Sequence, residues 1–328
     1  MVGMSRFLPL ALLLAAGCGS ESGPARPVIA VIPKGTTHVF WKSVHAGALK
    51  AGQELEVEIV WKGPLKEDDR EDQIKVVENF ANQRVGGIVL APLDDAALVG
   101  PVEDAVRAKI PVVIIDSDLK SDRHVSFVAT DNEKGGRLAG EEMSRLLGGK
   151  GKVVLLRYQE GSASTMNREK GFLEAIAKHP GIEVVSKDQY AGATTASAIA
   201  ASENLLQRFK APDGLSVHGI FCPNESSAAG MLTVLQSAGV AGKVTFIGFD
   251  SSVQLLKALR DRQMHATVVQ DPITMGYLGV RSMVRHLRGE AVERRIDTGA
   301  TLVTPGNLDE PRIRDLVDPD AFRKWLKE

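Results

Sequence analysis

Short apolar runs alternate with amphipathic stretches along most of the chain, from Val28 onward. Apolar runs of four or five residues between turn residues are typical of buried strands, and apolar residues at i, i+3 and i+7 mark one face of a helix. Ile74, Val77 and Ala81 show this helical spacing between two such runs. The alternation predicts parallel sheets built from strand–helix–strand units.

The predicted strands fall into two sets. The first covers 28–32, 57–61, 87–90, 112–115 and 126–129, and the second covers 153–156, 183–186, 219–221, 244–248 and 265–269. Between the sets, Thr130 or Asp131 caps a helix that runs to residue 147. A last long helix, 273–288, precedes an irregular tail that contains several prolines. Two similar α/β lobes follow from this pattern.

Glycines follow the predicted helices, where a left-handed cap conformation suits a residue without a side chain. These helix-ending positions are Gly52, Gly86, Gly148, Gly149, Gly181, Gly239 and Gly289. Their regular recurrence supports a repeated strand–helix architecture.

The first residues do not share this pattern. A short apolar run follows Arg6; it is too short to span a bilayer but suits the core of an export signal. The segment LAAGC, ending at Cys18, then resembles the bacterial lipobox, although Ala15 stands where leucine is commoner. We expect residues 1–17 to be a cleaved signal peptide, Cys18 to carry a lipid, and residues 18–26 to form a flexible tether. The alternative is an ordinary signal peptide with an incidental cysteine.

Composition narrows the functional classes. The 328 residues suggest about two domains. Forty Lys and Arg against 41 Asp and Glu leave a formal charge of -1, without the positive excess of a nucleic-acid-binding protein. Two cysteines, Cys18 and Cys222, exclude a disulfide framework and a four-cysteine zinc site. The glycine-rich phosphate loops of nucleotide enzymes follow none of the predicted strands. We therefore expect no cofactor, no metal and no nucleic-acid partner.

Polar side chains follow the predicted strands, at the edge where open parallel sheets bind ligands. A sugar hydroxyl both donates and accepts hydrogen bonds, and an aromatic face packs against the C–H face of a sugar ring. Two lobes that face each other with such side chains at their edges would form a cleft for a polyhydroxyl ligand. The candidates are Lys34, His38, Phe40, Trp41, Asp116 and Ser117 in the first set, and Arg168, Asn224, Glu225, Asp250 and Gln270 in the second.

Most of these residues also have a purely structural interpretation. Arg168 is the hardest to explain in this way, because a cation near a helix N-terminus opposes the helix dipole. The other structural interpretations are a helix cap for Asp250, a turn residue for Asn224, packing beneath a loop for Phe40 and Trp41, an exposed loop position for Lys34, and a helix-start carboxylate for Glu225.

Eight stretches, taken in order, carry a resemblance to a known family: FWKSVHAGA, GGIVLAPLD, IPVVIID, ATDNEKGGRLAG, REKGF, FCPNE, IGFD and ATVVQDP. Through them the chain resembles the ribose-type periplasmic sugar-binding proteins, the type I periplasmic binding proteins related to the lactose-repressor core. The resemblance implies two Rossmann-like lobes joined by a three-segment hinge. The first lobe would comprise 27–129 plus 271–299, and the second 130–270 plus 300–328.

The resemblance also implies roles for the polar residues. Ser117 stands where the ribose binders have arginine, and Ala193 where they have an aromatic residue, so a larger pyranose, a deoxysugar, a polyol or a furanose competes with D-ribose as the ligand. Phe40 and Trp41 would flank the sugar ring; Asp116, Arg168, Asn224, Asp250 and Gln270 would bind hydroxyls; and His38, Lys34 and Ser117 are further candidates.

This reading predicts a binding protein and not an enzyme. It would be a monomeric, exported lipoprotein at the periplasm or cell surface that captures a monosaccharide or polyol by hinge closure and presents it to an ABC permease. One alternative is a sensor component that presents a sugar-like signal to a receptor or kinase. Another is a carbohydrate hydrolase or isomerase with Asp116 and Asp250 as paired carboxylates, but no nucleophile, metal set or cofactor loop accompanies them.

Overall fold

The computed structural model describes residues 26–318, 320–321 and 323–326. Cys18 and the predicted signal peptide lie outside these residues. Within them, two six-stranded sheets each carry helices on both faces. This is the α/β architecture with two lobes that the alternation of apolar runs predicts.

The first lobe is built on a fully parallel sheet. Helices α1 (Val39–Leu55) and α9 (Pro272–Leu287) pack on one face, and α2 (Arg70–Asn82) and α3 (Val99–Arg107) on the other. In spatial order the strands are β13 (Arg295–Asp297), β5 (Ser126–Ala129), β4 (Val112–Ile115), β3 (Gly87–Leu90), β1 (Val28–Ile32) and β2 (Glu58–Trp61).

The second lobe repeats this plan with one antiparallel edge strand, β14. In spatial order its strands are β14 (Ala300–Val303), β12 (Ala266–Gln270), β11 (Thr245–Phe249), β10 (Gly219–Phe221), β6 (Lys150–Arg157) and β7 (Gly181–Tyr190). Its helices are α4 (Asn132–Leu146) and α5 (Ala163–Ile176) on one face, and α6 (Thr195–Gln207), α7 (Glu225–Ser237), α8 (Val253–Arg260) and α10 (Pro311–Val317) on the other; β8 (Lys210–Ala211) and β9 (Gly214–Leu215) form a small hairpin.

The tail is more ordered than the sequence pattern predicts. Residues after α9 supply β13 to the first sheet and β14 to the second, and α10 begins at Pro311, a favoured first helical position because proline lacks the N–H that would be unpaired there. A last short helix, α11 (Arg323–Leu326), contacts α1 of the first lobe, although the tail as a whole was expected on the second.

Only some of the predicted helix-ending glycines take the left-handed conformation. Gly148, Gly149, Gly239 and Gly289 do so. Gly52 instead lies inside α1, where a Cβ would come within 2.5 Å of Ile59 Cγ1, and Glu56 adopts the positive φ at the helix end. Likewise Arg84, and not Gly86, has a positive φ after α2, and Gly181 opens β7. At Gly52 the glycine serves close packing and not helix termination.

Glycines also bring two helix pairs into backbone contact. A Cβ on Gly47 of α1 would lie 1.9 Å from the carbonyl oxygen of Ile273, at the start of α9. In the second lobe, a Cβ on Gly136 of α4 would lie 2.0 Å from the carbonyl oxygen of Arg168 in α5. The reciprocal contacts are Gly276 with Val44 and Gly171 with Glu133. Each lobe therefore contains a helix pair whose crossing tolerates no side chain at these glycines.

Cys222 follows β10 and is completely buried in the core of the second lobe. Burial in this apolar surrounding raises the pKa of its thiol far above the ordinary value. It is a free cysteine, and the part of the chain that the structure describes contains no other. The described fold therefore rests on its two cores and not on a disulfide.

Candidate ligand-binding cleft

The carboxyl ends of both sheets face a shared cleft. The sequence predicts this position, because side chains that follow parallel strands collect at one edge of each sheet. All the predicted ligand-binding residues except Ser117 line the cleft: Lys34, His38, Phe40, Trp41, Asp116, Arg168, Asn224, Asp250 and Gln270.

Ser117 is fully buried and does not line the cleft. Its Oγ accepts a hydrogen bond from the backbone N–H of Ser164 at 3.0 Å, and Ser164 lies at the start of α5 in the second lobe. The less certain expectation that Ser117 contacts ligand is therefore corrected: its short side chain is used in a contact between the lobes.

Asp116 and Asp250 occupy equivalent places in the two lobes, directly after β4 and β11. Both have a left-handed backbone, with φ of 62° and 65°, which Asp tolerates better than most residues. The backbone N–H of each donates to the neighbouring strand, at 3.1 and 2.7 Å. Asp250 is not a helix cap, because Ser252 caps α8 through its bond from the N–H of Leu255. The capping interpretation of Asp250 is therefore wrong, and its carboxylate faces the cleft.

Arg168 is buried, and its guanidinium is held on several sides. Its Nε donates to Asn132 Oδ1 at 2.8 Å, its Nη1 donates to the carbonyl oxygen of Pro223 at 3.0 Å, and the group lies 3.9 Å from the centre of the Phe249 ring. Nη1 also lies 3.8 Å from Asp250 Oδ2. These contacts fix the guanidinium plane before any ligand arrives.

Two polar atoms beside Asp250 have no partner among the described residues. They are Arg168 Nη2, a donor, and Gln270 Oε1, an acceptor. The other end of the Gln270 amide donates to Asp250 Oδ1 at 2.7 Å. Because buried polar atoms are nearly always hydrogen-bonded, an unpaired donor and acceptor in one cleft indicate a ligand group that can do both.

Asp250 also has a perturbed acidity. Burial raises the pKa of its carboxyl to about 6, and the nearby charges of Asp116 and Glu225 add to this effect, while Arg168 and the hydrogen bond from Gln270 oppose it. At neutral pH the group is mostly ionised and acts as a hydrogen-bond acceptor.

Lys34 is buried, contrary to its interpretation as an exposed loop residue. Its Nζ lies 2.8 Å from Asp116 Oδ2 and donates across the cleft to Ser164 Oγ at 3.0 Å, with Ser162 Oγ at 3.4 Å. The loop after β1 places it there, because the strand ends at the cleft edge. The ammonium group thus joins a first-lobe carboxylate to two second-lobe hydroxyls.

His38 makes a second ionic contact between the lobes. Its Nδ1 lies 3.1 Å from Oε2 of Glu225, at the start of α7. Burial by itself would lower the pKa of the imidazole, but the Glu225 hydrogen bond and the charges of Glu67, Glu225 and Asp250 raise it to about 9. His38 is therefore protonated at neutral pH, and Glu225 is part of the cleft as well as a helix-start residue.

Asn224 lines the cleft, but its amide is largely used at the start of α7. Its Oδ1 accepts from the N–H of Ser227 at 3.3 Å, and its Nδ2 donates to Ser226 Oγ at 3.0 Å. The structure therefore shows Asn224 as the capping residue of α7, in place of the turn residue of the structural interpretation, and Asn224 also borders the cleft.

Phe40 and Trp41 lie in the first turn of α1, with ring centres 4.9 Å apart and an edge-on angle of 87°. Trp41 Nε1 donates to Glu67 Oε1 at 2.6 Å, and Tyr158 Oη donates to Glu67 Oε2 at 2.6 Å. Sequence reasoning missed Glu67 and Tyr158. Glu67 lies several residues beyond β2, outside any rule about strand ends, whereas Tyr158 directly follows β6, whose end was predicted at residue 156.

No group of three or more His, Cys, Asp or Glu side chains in the described part of the chain is arranged to hold a metal ion. None of the helices in the described ranges is long and apolar enough to cross a membrane.

Comparisons with known proteins agree with this geometry. The profile of a family described as periplasmic binding protein domain matches residues 29–291. The ribose import binding protein of Haemophilus influenzae is 30% identical over 288 residues, which cover 87% of this chain and 94% of that protein. A carbohydrate transporter solute-binding protein from Agrobacterium radiobacter, solved with D-arabinose, superposes with a TM-score of 0.84 and 33% identity, covering 90% of this chain and all of that one. An ABC transporter solute-binding protein from Agrobacterium vitis, solved with D-fucose, superposes with a TM-score of 0.83 and 37% identity, covering 88% of this chain and 99% of that one.

Proposed function

The chain belongs to the periplasmic binding protein family, and we propose that it captures a monosaccharide or similar polyol between its lobes for an ABC importer. The observation that carries this proposal is the pair of unpartnered atoms beside Asp250, the donor Arg168 Nη2 and the acceptor Gln270 Oε1. One ligand hydroxyl pairs with both, while a neighbouring hydroxyl donates to the Asp250 carboxylate. Phe40 and Trp41, on the opposite wall, then pack against the ring.

Binding in this arrangement is coupled to closure of the lobes. The aromatic pair and Asp116 come from the first lobe, and Arg168 and Asp250 from the second, so one ligand contacts both only when the lobes meet. Contacts of this kind shift the population toward the closed form, which a permease recognises. We propose that the hinge consists of the three crossings at 129–130, 270–271 and 299–300, because β5 ends, β12 ends and β14 begins at these positions.

We propose a ligand other than D-ribose. Ser117 stands where ribose binders have arginine and here contacts Ser164, and Ala193 adds no ring to the second lobe. The cation beside Asp116 comes from Lys34 instead, which reaches the cleft from the loop after β1. Three solved relatives contain D-arabinose, D-fucose and α-D-tagatopyranose, so we propose pentoses, deoxyhexoses and ketohexoses as the first ligands to test.

Thermal unfolding with a sugar panel tests the function. D-fucose, D-arabinose, D-tagatose, D-allose, D-ribose, xylitol and myo-inositol would each be added in large excess. A ligand at about 1,000 times its Kd adds roughly 4 kcal/mol to the free energy of unfolding, so we expect a rise of several degrees with at least one sugar. Asp250→Ala is the control: it should fold but lose that rise. A panel without any shift contradicts the carbohydrate site, and a full shift in Asp250→Ala contradicts the assignment of Asp250.

We also propose that the exported protein is anchored through an acylated Cys18, because the lipobox and the tether rich in Gly, Ser and Pro occur together. Cys18→Ser should move the protein from the detergent-soluble membrane fraction to the aqueous fraction in a bacterial host. The matched control, Cys222→Ser, should leave it with the membrane. A Cys18→Ser protein that stays with the membrane contradicts the anchor.

A further inference from the structure

Glu67 connects three parts of the cleft, although it comes from a loop that strand-end reasoning does not reach. One carboxylate oxygen accepts the indole N–H of Trp41, and the other accepts the hydroxyl of Tyr158, both at 2.6 Å. Its backbone carbonyl also accepts from Gln159 Nε2 at 3.1 Å. Glu67 is 7% exposed, and Trp41 and Tyr158 are buried almost completely.

The two side-chain partners of Glu67 belong to different lobes. Trp41 and Glu67 lie in the first lobe, in α1 and in the loop between β2 and α2, whereas Tyr158 follows β6 of the second lobe. The hydrogen bond from Tyr158 therefore exists only when the lobes are closed. The bond from Trp41 lies within one lobe and does not depend on closure.

We propose that Trp41, Glu67 and Tyr158 form a closure latch, in which the carboxylate that binds the Trp41 indole N–H within the first lobe also binds the Tyr158 hydroxyl of the second lobe when the lobes close. Glu67 is the positioning residue in this latch. It holds the indole plane against the cleft by one oxygen and captures the second lobe by the other. This inference rests on the proposed sugar-binding function and adds the residue that keeps the bound sugar enclosed.

Charge and burial explain why Glu67 suits this task. The other three carboxylates of the cleft each face a cation: Asp116 faces Lys34, Glu225 faces His38 and Asp250 faces Arg168. Glu67 faces no cation at ion-pair distance within the described residues, and its two oxygens are satisfied by the neutral donors of Trp41 and Tyr158. When the lobes open, one of these two donors leaves. Hydrogen bonds to a buried charge are strong, so that loss opposes opening.

The latch predicts a specific kinetic change. Tyr158→Phe keeps the ring and removes only the hydroxyl. With D-fucose, or the panel sugar that gives the largest thermal shift, we expect Kd to rise about tenfold, the worth of one charged hydrogen bond. The rise should come from faster dissociation, while the association rate stays within about twofold, because the bond forms after capture. Glu67→Gln should act in the same direction, since the amide nitrogen does not accept a hydrogen bond.

Tyr277→Phe is the matched control. Tyr277 Oη donates to Glu54 Oε2 at 2.8 Å, a tyrosine–glutamate bond of the same kind but within the first lobe and at the surface. The Tyr277→Phe variant should leave the Kd for sugar and both rate constants unchanged. The unfolding midpoint of the ligand-free Tyr158→Phe protein should match that of Tyr277→Phe, which separates loss of the latch from general destabilisation.

Each outcome decides a different point. If Tyr158→Phe binds and releases sugar like the wild type, or loses affinity through slower association alone, the latch is wrong and the sugar-binding function stands. If no panel sugar binds the wild type, the proposed function fails, and the latch fails with it, because the latch acts by keeping a bound sugar enclosed.

Discussion

Two cleft groups, His38 and Asp250, have shifted pKa values, and their protonation affects sugar binding in opposite directions as the pH rises. The pKa of His38 in the closed protein is about 9, above its ordinary 6.5, so its pair with Glu225 contributes fully below about pH 6.5 and is lost as the pH rises through about 9. Burial raises the pKa of Asp250 from 3.8 to about 6, so without ligand the Asp250 carboxyl is mostly protonated below about pH 6. A sugar hydroxyl that donates to Asp250 favours the ionised form, and binding therefore tightens as the pH rises through about 6.

The sugar affinity should accordingly be bell-shaped in pH, with its maximum between about 6 and 6.5, and it should fall progressively as the pH rises from there to about 9. Titration calorimetry at pH values from below 6 to above 9 measures both limbs. His38→Asn should lose the alkaline limb and keep the acidic one, since it removes only the His38–Glu225 pair. His179→Asn, at a partly exposed turn after α5 of the second lobe and outside the cleft lining, is the control and should keep both limbs. An alkaline limb that persists unchanged in His38→Asn would show that another group produces it.

At the scale of residues, the sequence predicts which side chains line the cleft better than it predicts which of them contact each other. Asp116, Arg168, Asp250 and Gln270 were found because each lies near the end of a strand or the start of a helix at the cleft edge. The sequence favours an exposed loop position for Lys34, because nothing local shows that Asp116, far along the chain, lies 2.8 Å from its ammonium group. Glu67 was missed for the same reason: its partners are set by the closed arrangement of the lobes.

Helix pairs set the positions of the cleft side chains at the scale of elements. Gly136 of α4 lies against the backbone of Arg168 in α5, and Gly47 of α1 lies against α9. Helices α4 and α9 directly follow β5 and β12, where the chain passes from one sheet to the other. The helices that carry Arg168 and Trp41 are therefore fixed to the helices that leave the crossings, and each lobe should move as a unit.

Gly136→Ala tests this packing. Its Cβ would lie 2.0 Å from the carbonyl oxygen of Arg168, so α5 must shift. We expect a loss of about 1–3 kcal/mol in the free energy of unfolding, as for other overpacked sites, together with weaker sugar binding because Arg168 moves. Gly100→Ala in α3 is the control, since its Cβ meets nothing within 4 Å and should stabilise the helix by up to about 1 kcal/mol. Urea unfolding compares the two; equal stabilities would contradict the contact.

Periodicity predicts most elements because their faces are buried in a regular way. All ten strands of the two sets and the long helix after them were found, with ends displaced by a few residues. The tail was not, because β13 and β14 are short edge strands that pair with distant partners, Phe127 to Ala129 and Thr267 to Gln270. Their place depends on sheets already formed, and both strands are only partly buried, so they lack the apolar run that marks the equally short buried strands such as β10.

The whole molecule combines two similar lobes whose polar edges meet, and a series of contacts of different kinds joins them. Lys34 with Ser164 and His38 with Glu225 are ionic or charge-assisted, Glu67 with Tyr158 is a buried hydrogen bond, and a backbone bond joins Asp95 N–H to the Gly161 carbonyl at 2.9 Å. Sequence predicts that two lobes face each other. It does not predict this series, because each contact joins residues far apart in the chain.

The burial of Cys222 has a practical consequence for building a reporter from this protein. Its thiol is inaccessible and weakly acidic, so maleimide dyes should leave it unmodified in the folded state. A cysteine introduced at Ser251, on the second-lobe side of the neighbouring pocket that Val39 and Phe40 line from the first lobe, would then be the reactive thiol of the described chain. A fluorophore there would change its surroundings as the lobes close. The protein thus offers a scaffold for an optical sensor whose signal needs no second labelling site and no prior removal of a native cysteine from its core.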